Sequence, residues 1–451
     1  MVALLFLLAV LNNLDRQALS VLAPTLREAL GFTMIEYSYM VTSFLVAYGL
    51  GFFFCGGIID RVGVRLAVTG ALAAWSLAGM MHAMAASWIA LAVYRFLLGL
   101  GESFNAPCGV KGVAEWIPKR ERGLCTSIVS NGNVVGAIIA PPLVSLIALR
   151  YGWEWSFLIT GAFGFVFLIA WLAFYDAPER QRRLRSEERD AIMADRGDAV
   201  RRPAISVWSA LAQPACIGFL VARFFTDSLS FFFSFWLPEY LKAAHGFSLA
   251  MIGFFAWIPF LAAGIGGPGG GALSDWLIRR GWKPIEARRR MLLLVACIMP
   301  LSIVAVHVTS PVFAIAIIGV LLAAQSCWFA NLFTLMSEYF PREHMATYVG
   351  LSGVGGTIGG IISTLAAGKI IQTIGYVPVF TCLGFLHLLG LLSIHIFSKR
   401  QQRNNAGLVA ACSALGPEPR QEGGREGTAP IAHESRGSNA SLRGGFARSM
   451  P

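Results

Sequence analysis

The chain has 451 residues, of which 56% are hydrophobic and only 14% charged, whereas about a quarter of the residues are charged in a typical soluble domain. Its net charge of +11 comes from short basic segments between apolar blocks, a distribution typical of membrane topology and not of nucleic-acid binding. The eight cysteines are scattered without CxxC or Cys/His spacing, so neither a metal site nor a disulfide framework is predicted.

Twelve apolar blocks follow one another along the chain, each long enough to cross the hydrocarbon layer as a helix of about 20 residues. They cover residues 1–23, 36–58, 65–86, 88–113, 123–147 and 154–175, and then 212–237, 248–273, 290–308, 312–336, 346–369 and 376–397. The predicted fold class is therefore an all-α membrane protein with twelve transmembrane helices.

Two motifs occur once in each half of the chain. Gly56-Gly-Ile-Ile-Asp60 returns as Gly271-Ala-Leu-Ser-Asp275, 215 residues later, and the Glu-aromatic-x-Pro motif at 115 returns at 338, 223 residues later. This repeat predicts two six-helix halves in the same orientation, a layout that places the substrate site of many secondary transporters between the halves. The predicted domains are a first half (1–175), a charged cytoplasmic linker (176–211), a second half (212–397) and a disordered cytoplasmic tail (398–451).

The basic residues predict the orientation in the membrane. Loops after even-numbered helices hold 20 Lys and Arg residues, and the loops on the other face hold 4. This bias predicts that both termini are cytoplasmic in an inner-membrane protein. The N-terminus lacks the basic segment of a signal peptide, and whether Met1 is the true start stays open.

The glycine and charge pattern after helices 2 and 8 predicts a conformational clasp. Glycine permits a tight turn, the aspartate can meet a helix N-terminus, and an arginine can meet a carboxylate. An ordinary short loop is the alternative, but two copies at matching places favour a clasp that holds one transporter conformation. The predicted clasp residues are Gly56, Asp60, Arg61, Gly63, Arg65, Gly271 and Asp275.

The other glycine motifs favour helix packing. Gly264-x-Gly266-x-x-Gly269 matches the dinucleotide fingerprint but lies inside an apolar helix without a preceding strand. Small residues four apart permit close contact between membrane helices, and we expect the two halves to slide past each other at the helices that carry them. These pairs are Gly132 with Gly136 and Gly355 with Gly359. The sequence has no Walker loop or hydrolase motif, so neither an enzyme nor a cofactor is predicted.

Four charged residues inside apolar helices are the strongest functional candidates. Each costs at least about 2.5–3.5 kcal/mol at a helix centre. Asp15 and Arg16 are neighbours about 100° apart around the helix, and Arg95 and Glu102 are about 10 Å apart along theirs. Neither pair can neutralise itself well, so each residue requires a partner on another helix or a charged substrate.

The simplest arrangement brings helices 1 and 4 together around a central cavity. Arg95, with help from Arg16, would bind a carboxylate through its planar guanidinium, and Asp15 and Glu102 would carry protons. A purely structural ion-pair network is the alternative. The further binding candidates, each of which could equally form a helix–helix hydrogen bond, are Tyr48, Asn131, Asn133, Asp227, Gln325, Trp328 and Asn331.

Four longer segments stand out in the helices: Asn13-Leu-Asp15-Arg16, Arg95-Phe-Leu-Leu-Gly-Leu-Gly-Glu102, Trp236-Leu-Pro238-Glu-Tyr240 and Trp328-Phe-Ala-Asn331. These segments resemble the anion:cation symporter family of the major facilitator superfamily, and most closely its hexuronate transporter branch. The resemblance covers nearly the whole chain to about residue 398.

The resemblance implies proton-coupled uptake of an organic anion such as galacturonate or glucuronate. It links Asp15 and Glu102 to proton coupling, and Arg16, Arg95 and Tyr48 to substrate binding. The segment 130–136 and the residue at 228 depart from the branch's usual pattern. Both changes touch the expected sugar-facing wall, so the identity of the acid stays open.

The sequence therefore predicts a monomeric symporter whose partners are a small organic anion, the proton and the lipid bilayer. Three alternatives remain: a carrier for an aromatic or dicarboxylic acid, an exporter or exchanger, and a transporter-like sensor. The proton stoichiometry is not predicted.

Overall fold

The computed structural model describes residues 1–118, 120–181, 184–196, 206–341 and 344–414, and the regular elements in these residues are helices. The first half contains α1 (Val2–Leu30), α2 (Met34–Met81), a 3₁₀ turn (His82–Met84), α3 (Trp88–Glu102), α4 (Asn105–Trp116), α5 (Arg122–Tyr151) and α6 (Trp153–Phe174). The linker contains α7 (Ser186–Arg196) and α8 (Val207–Leu211). The second half contains α9 (Pro214–His245), α10 (Leu249–Phe255), α11 (Ile258–Arg279), α12 (Pro284–Ile298), α13 (Leu301–His307), α14 (Pro311–Tyr339), α15 (Met345–Thr373) and α16 (Tyr376–Ala414).

These helices form twelve membrane spans, as predicted. Ten described segments are long and apolar enough to cross a membrane. One of them, Met34–Met84, is 51 residues long and bends at Gly63, whose backbone has φ 82° and ψ 163°, so it supplies two spans. The α3 and α4 helices together supply another, which brings the described spans to twelve.

Prolines explain why three predicted spans consist of two helices each. A proline inside a helix has no N–H to donate, and its ring collides with the carbonyl group four residues earlier. Pro107 lies in the first turn of α4, Pro259 lies in the first turn of α11, and Pro300 immediately precedes α13. Each therefore ends the preceding helix within a few residues.

The C-terminal helix is longer than predicted. It continues to Ala414, so residues 398–414 of the predicted disordered tail are helical, and residues 415–451 lie outside the described residues. Of the described residues, 404–414 belong to a unit separate from Met1–Arg403.

The two halves repeat the same helix pairings. In the first half α1 packs on α5 and α2 packs on α3, and in the second half α9 packs on α15 and α11 packs on α14. These are spans 1 with 5 and 2 with 4, and then 7 with 11 and 8 with 10. The pairing agrees with the repeat read from the two sequence motifs.

The glycine pairs pack within each half. A Cβ atom at Gly136 would lie 2.5 Å from the carbonyl oxygen of Val10, so only glycine permits this approach of α5 to α1. Gly132 meets the same helix, and Gly355 and Gly359 meet α9. The prediction of close packing is confirmed. The sliding of the halves at α5 and α15 stays a prediction.

The same helices also contact the other half. The contacts run between α1 and α9, between α2 and α15, and between α5 and the pair α10 and α11. Small residues face one another there too, as Gly368 faces Ser38 and Gly253 faces Ser145.

Polar contacts join the halves at one end of the bundle, which we call the closed end. Arg27 of α1 forms an ion pair with Glu239 of α9 at 2.6 Å, and Lys242 pairs with Glu28. The hydroxyl of Tyr37 donates to a backbone carbonyl of α9 at 2.5 Å. The predicted clasp segments lie at the opposite end of the bundle, residues 56–65 at the bend of α2 and residues 271–275 near the C-terminal end of α11.

Candidate substrate site

An ion pair between α1 and α3 forms the centre of the candidate site. The Nη2 atom of Arg16 lies 2.9 Å from Oε2 of Glu102, and Nε of Arg16 donates to the same oxygen at 2.9 Å. The Glu102 side chain is fully buried, whereas 18% of the Arg16 side chain is exposed. Each of these two residues therefore finds its partner on another helix.

Aromatic rings surround the exposed part of Arg16. Its guanidinium carbon lies 4.7 Å from the ring centre of Tyr48 and 5.1 Å from that of Phe44. Such contacts favour a cation at this position. Arg16 thus presents a guanidinium group that is held from two sides and is still accessible.

Arg95 lies behind Arg16 and is 1% exposed. Its Nη2 donates to the backbone carbonyl of Arg16 at 3.0 Å, and its Nε and Nη1 are buried without a hydrogen-bond partner in the described part of the chain. The sequence analysis expected Arg95 as the main carboxylate ligand. In this conformation the positions are reversed, because Arg16 is the accessible guanidinium and Arg95 supports its backbone.

Asp15 is buried beside this pair, with 5% of its surface exposed. The carboxyl group faces the side chains of Thr160 and Trp75, but neither oxygen accepts a hydrogen bond of normal geometry. It also interacts electrostatically with Glu102 and Arg95. The four charged residues therefore form one cluster, in which Glu102 has a close cationic partner and Asp15 has none.

A glycine in α3 permits this assembly. Gly99 lies between Arg95 and Glu102, and a Cβ atom there would lie 2.6 Å from the carbonyl oxygen of Phe44 in α2. The close approach of the two helices brings the rings of Phe44 and Tyr48 over Arg16. Glu102 is the last residue of α3, directly before the break that Pro107 causes.

The second half contains an intramembrane cation that the sequence analysis missed. Arg223 of α9 pairs with Asp227 at 2.6 Å and lies 5.4 Å from the ring centre of Phe333. The cost of burying a charge, which identified Asp15, applies equally to Arg223. The same rule would have found it.

The remaining candidates of the second half are part of the helix packing. Gln325, Trp328 and Asn331 are buried. Gln325 donates to the carbonyl of Thr226 and contacts His387 at 2.5 Å, and Asn331 donates to carbonyl groups of α11 and α14. The amides of Gln325 and Asn331 thus serve helix–helix contacts, the alternative left open, and the ring of Trp328 packs edge-on against His387 at 4.9 Å. A binding role for the three residues stays a prediction.

The two candidate amides of α5 are more accessible. Asn131 is exposed and Asn133 is half-buried. The amide of Asn133 donates to the carbonyl of Ser130, one turn earlier in the same helix, at 3.2 Å.

Comparisons with known proteins agree with this architecture. The family model described as Major Facilitator Superfamily matches residues 5–364. The chain belongs to the major facilitator superfamily. It is therefore a multi-pass membrane transporter and not an enzyme.

The curated relatives specify the branch of the superfamily. The chain is 31% identical over 400 residues to the hexuronate transporter of Escherichia coli (strain K12), across 87% of this chain and 92% of that protein. It is 33% identical over 272 residues to the galacturonate transporter of Dickeya chrysanthemi, across 59% of this chain and 78% of that protein. The resemblance to the hexuronate branch that the sequence analysis stated is confirmed.

Two solved structures of superfamily transporters share the fold. A bacterial homolog to the human lysosomal transporter Spinster, in an inward-facing and occupied conformation, has a TM-score of 0.66 at 16% identity over 89% of this chain and 96% of that one. The xylose transporter XylE from E. coli, in an inward open conformation, has a TM-score of 0.68 at 14% identity over 88% and 95%. At these identities the likeness concerns the fold alone.

The clasp residues of the first half form ion pairs inside that half. Asp60 pairs with Lys111 of α4 at 2.6 Å, and so meets an ammonium group in place of the expected helix N-terminus. Arg65 meets a carboxylate, that of Asp176, at 2.8 Å. Arg61 is exposed.

The second copy of the clasp is similar but uses a different cation. Asp275 pairs with Arg288 of α12 at 2.7 Å, and Arg288 also contacts Ser274. The sequence analysis named neither Lys111 nor Arg288 as a clasp residue. Both are basic residues close to the predicted cytoplasmic face. Basic residues are common at that face, so positive charge alone does not identify a clasp residue.

Proposed function

We propose that this superfamily member is a proton-coupled symporter that imports a hexuronate or a related sugar acid by alternating access. The Arg16–Glu102 ion pair carries the proposal, because it joins a protonatable acid directly to the accessible cation of the site. The names of the hexuronate and galacturonate transporters support the substrate class. We further propose that the protein works as a monomer in the inner membrane, with both termini cytoplasmic.

Competition for Arg16 would couple the two fluxes. When Glu102 takes up a proton, Arg16 loses its counter-ion and becomes free to bind the carboxylate of the substrate through a two-pronged hydrogen bond. Asp15, which has no cation at ion-pair distance among the described residues, is the second candidate for proton uptake. Arg95 positions the α1 backbone at Arg16.

Charge balance is the physical reason for this coupling. One proton and one monoanion together leave the net charge of the site unchanged. A carrier that closes over an uncompensated charge would bear the cost of burying it without a partner. The empty, deprotonated site and the fully loaded site can therefore both close, whereas a site loaded with the anion alone cannot.

The conformation supports an inward-facing assignment within this proposal. The halves are joined at the closed end by Arg27–Glu239 and Lys242–Glu28, and the clasp end is the one that the basic residues predict to be cytoplasmic. We propose that the Asp60–Lys111 and Asp275–Arg288 pairs hold each half in the arrangement of this state.

The second half bears on the choice between monoacids and diacids. Arg223 would be the natural ligand for a second carboxylate, but Asp227 already occupies its Nε and Nη2 atoms. Arg16 and Arg223 are similarly exposed, at 18% and 16%, and each is paired with an acid, so what favours an acid with one carboxylate is the 31% identity to a hexuronate transporter. We therefore expect hexuronates to be better substrates than sugar diacids.

Uptake into proteoliposomes tests the substrate and the coupling together. The panel is labelled galacturonate, glucuronate, galactonate, an aromatic acid and a sugar diacid, each with and without an acidic exterior. We expect accumulation of a sugar monoacid that requires the pH gradient and that a proton uncoupler abolishes. Uptake that does not respond to the uncoupler would refute symport, and preference for the aromatic acid or the diacid would refute the substrate class.

Glu102→Gln tests the proposed coupling residue. The neutral amide frees Arg16 permanently, so exchange of labelled for unlabelled substrate should persist while accumulation driven by the pH gradient is lost. Glu187→Gln changes an exposed acid of the linker helix and should accumulate substrate like the unaltered protein. Full accumulation by Glu102→Gln would sink the coupling scheme.

A further inference from the structure

A groove of about 550 Å³ lies between α12 and α16, away from the substrate site. Leucines form its inner walls, among them Leu293 of α12 and Leu388 and Leu392 of α16. These three side chains are 37–52% exposed. The groove therefore opens on the outer surface of the bundle, where lipid surrounds a membrane protein.

Cations gather at the mouth of the groove. Arg289 and Arg290 come from the beginning of α12 and His395 from α16, and His395 is near enough to Arg289 and to Lys399 to interact electrostatically with both. Glu286 is the one acid among the lining residues. The two arginines and Lys399 outnumber it, so the mouth is positively charged.

Arg289 and Arg290 are held in place without an acidic partner at ion-pair distance among the described residues. The Nη2 atom of Arg289 donates to the hydroxyl of Tyr339 at 2.8 Å, and its Nε is buried without a hydrogen bond. The guanidinium of Arg290 lies 5.5 Å from the ring centre of Trp282. The two arginines are thus oriented by neutral groups and can still bind an anion.

The basic mouth and the leucine wall of the groove are spaced like the headgroup and the acyl chain of a lipid molecule. The span that holds α12 begins at Pro284 and the span of α16 ends at Gln401, so the cations lie at the membrane surface of the clasp end. From His395 back to Leu388 the helix descends seven residues, about 10 Å into the hydrocarbon layer. A phosphate at the mouth would thus place an acyl chain along the leucines.

We propose that this groove binds one anionic phospholipid, with its phosphate between Arg289 and Arg290 and one acyl chain along Leu388 and Leu392. Basic pockets between membrane helices on the cytoplasmic side suit anionic headgroups. A soluble anion would leave the apolar wall unused, and a zwitterionic lipid carries no net charge to match the mouth. The proposal does not depend on the transported substrate.

Native mass spectrometry of the purified protein, titrated with phosphatidylglycerol or with phosphatidylethanolamine of the same acyl chains, tests this site. The unaltered protein should retain phosphatidylglycerol in preference. The double variant Arg289→Gln/Arg290→Gln should bind it about 30-fold more weakly, as expected for the loss of two surface cations. The control Arg180→Gln/Arg185→Gln removes two exposed arginines of the linker and should bind normally.

A variant of the apolar wall distinguishes lipid binding in the groove from general electrostatic attraction of lipid to the protein. Leu392→Trp fills the groove and keeps every charge, so it should also weaken retention of phosphatidylglycerol. Normal binding by this variant would overturn the proposal. So would equal retention of the two lipids by the unaltered protein, or an equal loss of binding in the linker control.

Discussion

The ion pair at the closed end allows a quantitative prediction. Glu239 is 1% exposed, and its close cationic partner is Arg27 at 2.6 Å. In the variant Arg27→Gln, the Glu239 carboxylate stays buried without this cation as long as the halves remain in contact. When the halves separate at the closed end, water reaches the carboxylate and the penalty disappears. The variant should therefore shift the protein toward the conformation that is open at this end.

The size of the shift follows from the burial of the two partners. Removing one partner from a fully buried pair costs about 3–5 kcal/mol, whereas an exposed pair contributes less than about 1 kcal/mol. The Arg27 side chain is 33% exposed, so we expect an intermediate cost of about 2 kcal/mol, or roughly a 30-fold change in the equilibrium constant.

Electron paramagnetic resonance can measure this equilibrium. Spin labels at Leu30→Cys and Ala244→Cys, on a background without other cysteines, report the separation of α1 and α9 at the closed end. The long-distance population should rise in Arg27→Gln and fall back in Arg27→Gln/Glu239→Gln, which leaves no buried charge. Unchanged distances in the single variant, or a larger shift in the double variant, would refute the reasoning.

Two further predictions concern the clasp and the packing inside the first half. Lys111→Gln should slow transport with no change in melting temperature. Its partner Asp60 is 76% exposed, and an exposed ion pair adds little stability. A lower melting temperature would instead indicate a role in folding. Gly136→Leu should lower the stability of the protein by about 1–3 kcal/mol, because the new side chain meets the α1 backbone. The control Gly123→Leu, in the same helix, meets nothing within 4 Å and should leave the melting temperature unchanged.

The sequence was sufficient to predict the membrane spans, because the length of an apolar block and the thickness of the hydrocarbon layer determine them. The helix breaks could also have been predicted from the sequence. Pro107 and Pro259 follow a simple steric rule, but the sequence analysis drew each span as one helix. The extent of α16 beyond residue 397 was missed because polarity alone suggested disorder there.

The clustering of four buried charged residues was predictable from the sequence but their pairing was not, and their roles in binding and coupling stay predictions. The cost of burying charge identifies Asp15, Arg16, Arg95 and Glu102, whereas the pairing depends on how α1 and α3 face each other. The local sequence therefore could not show that Arg16 lies in front of Arg95. Glu239 lies in a segment that carries the family resemblance, but its partner Arg27 comes from the other half of the fold.

The buried charges also explain why α1 has a special place in this fold. Arg16 contacts Glu102 in the first half, and Arg27 contacts Glu239 in the second half. The two arginines are eleven residues apart, which is about 16 Å along a helix. Pro24 lies between them inside α1, where the missing backbone hydrogen bond permits the helix to bend. Under the proposed coupling, a proton that releases Arg16 acts on the same helix that holds the closed end shut, so substrate binding and gate opening would share one element.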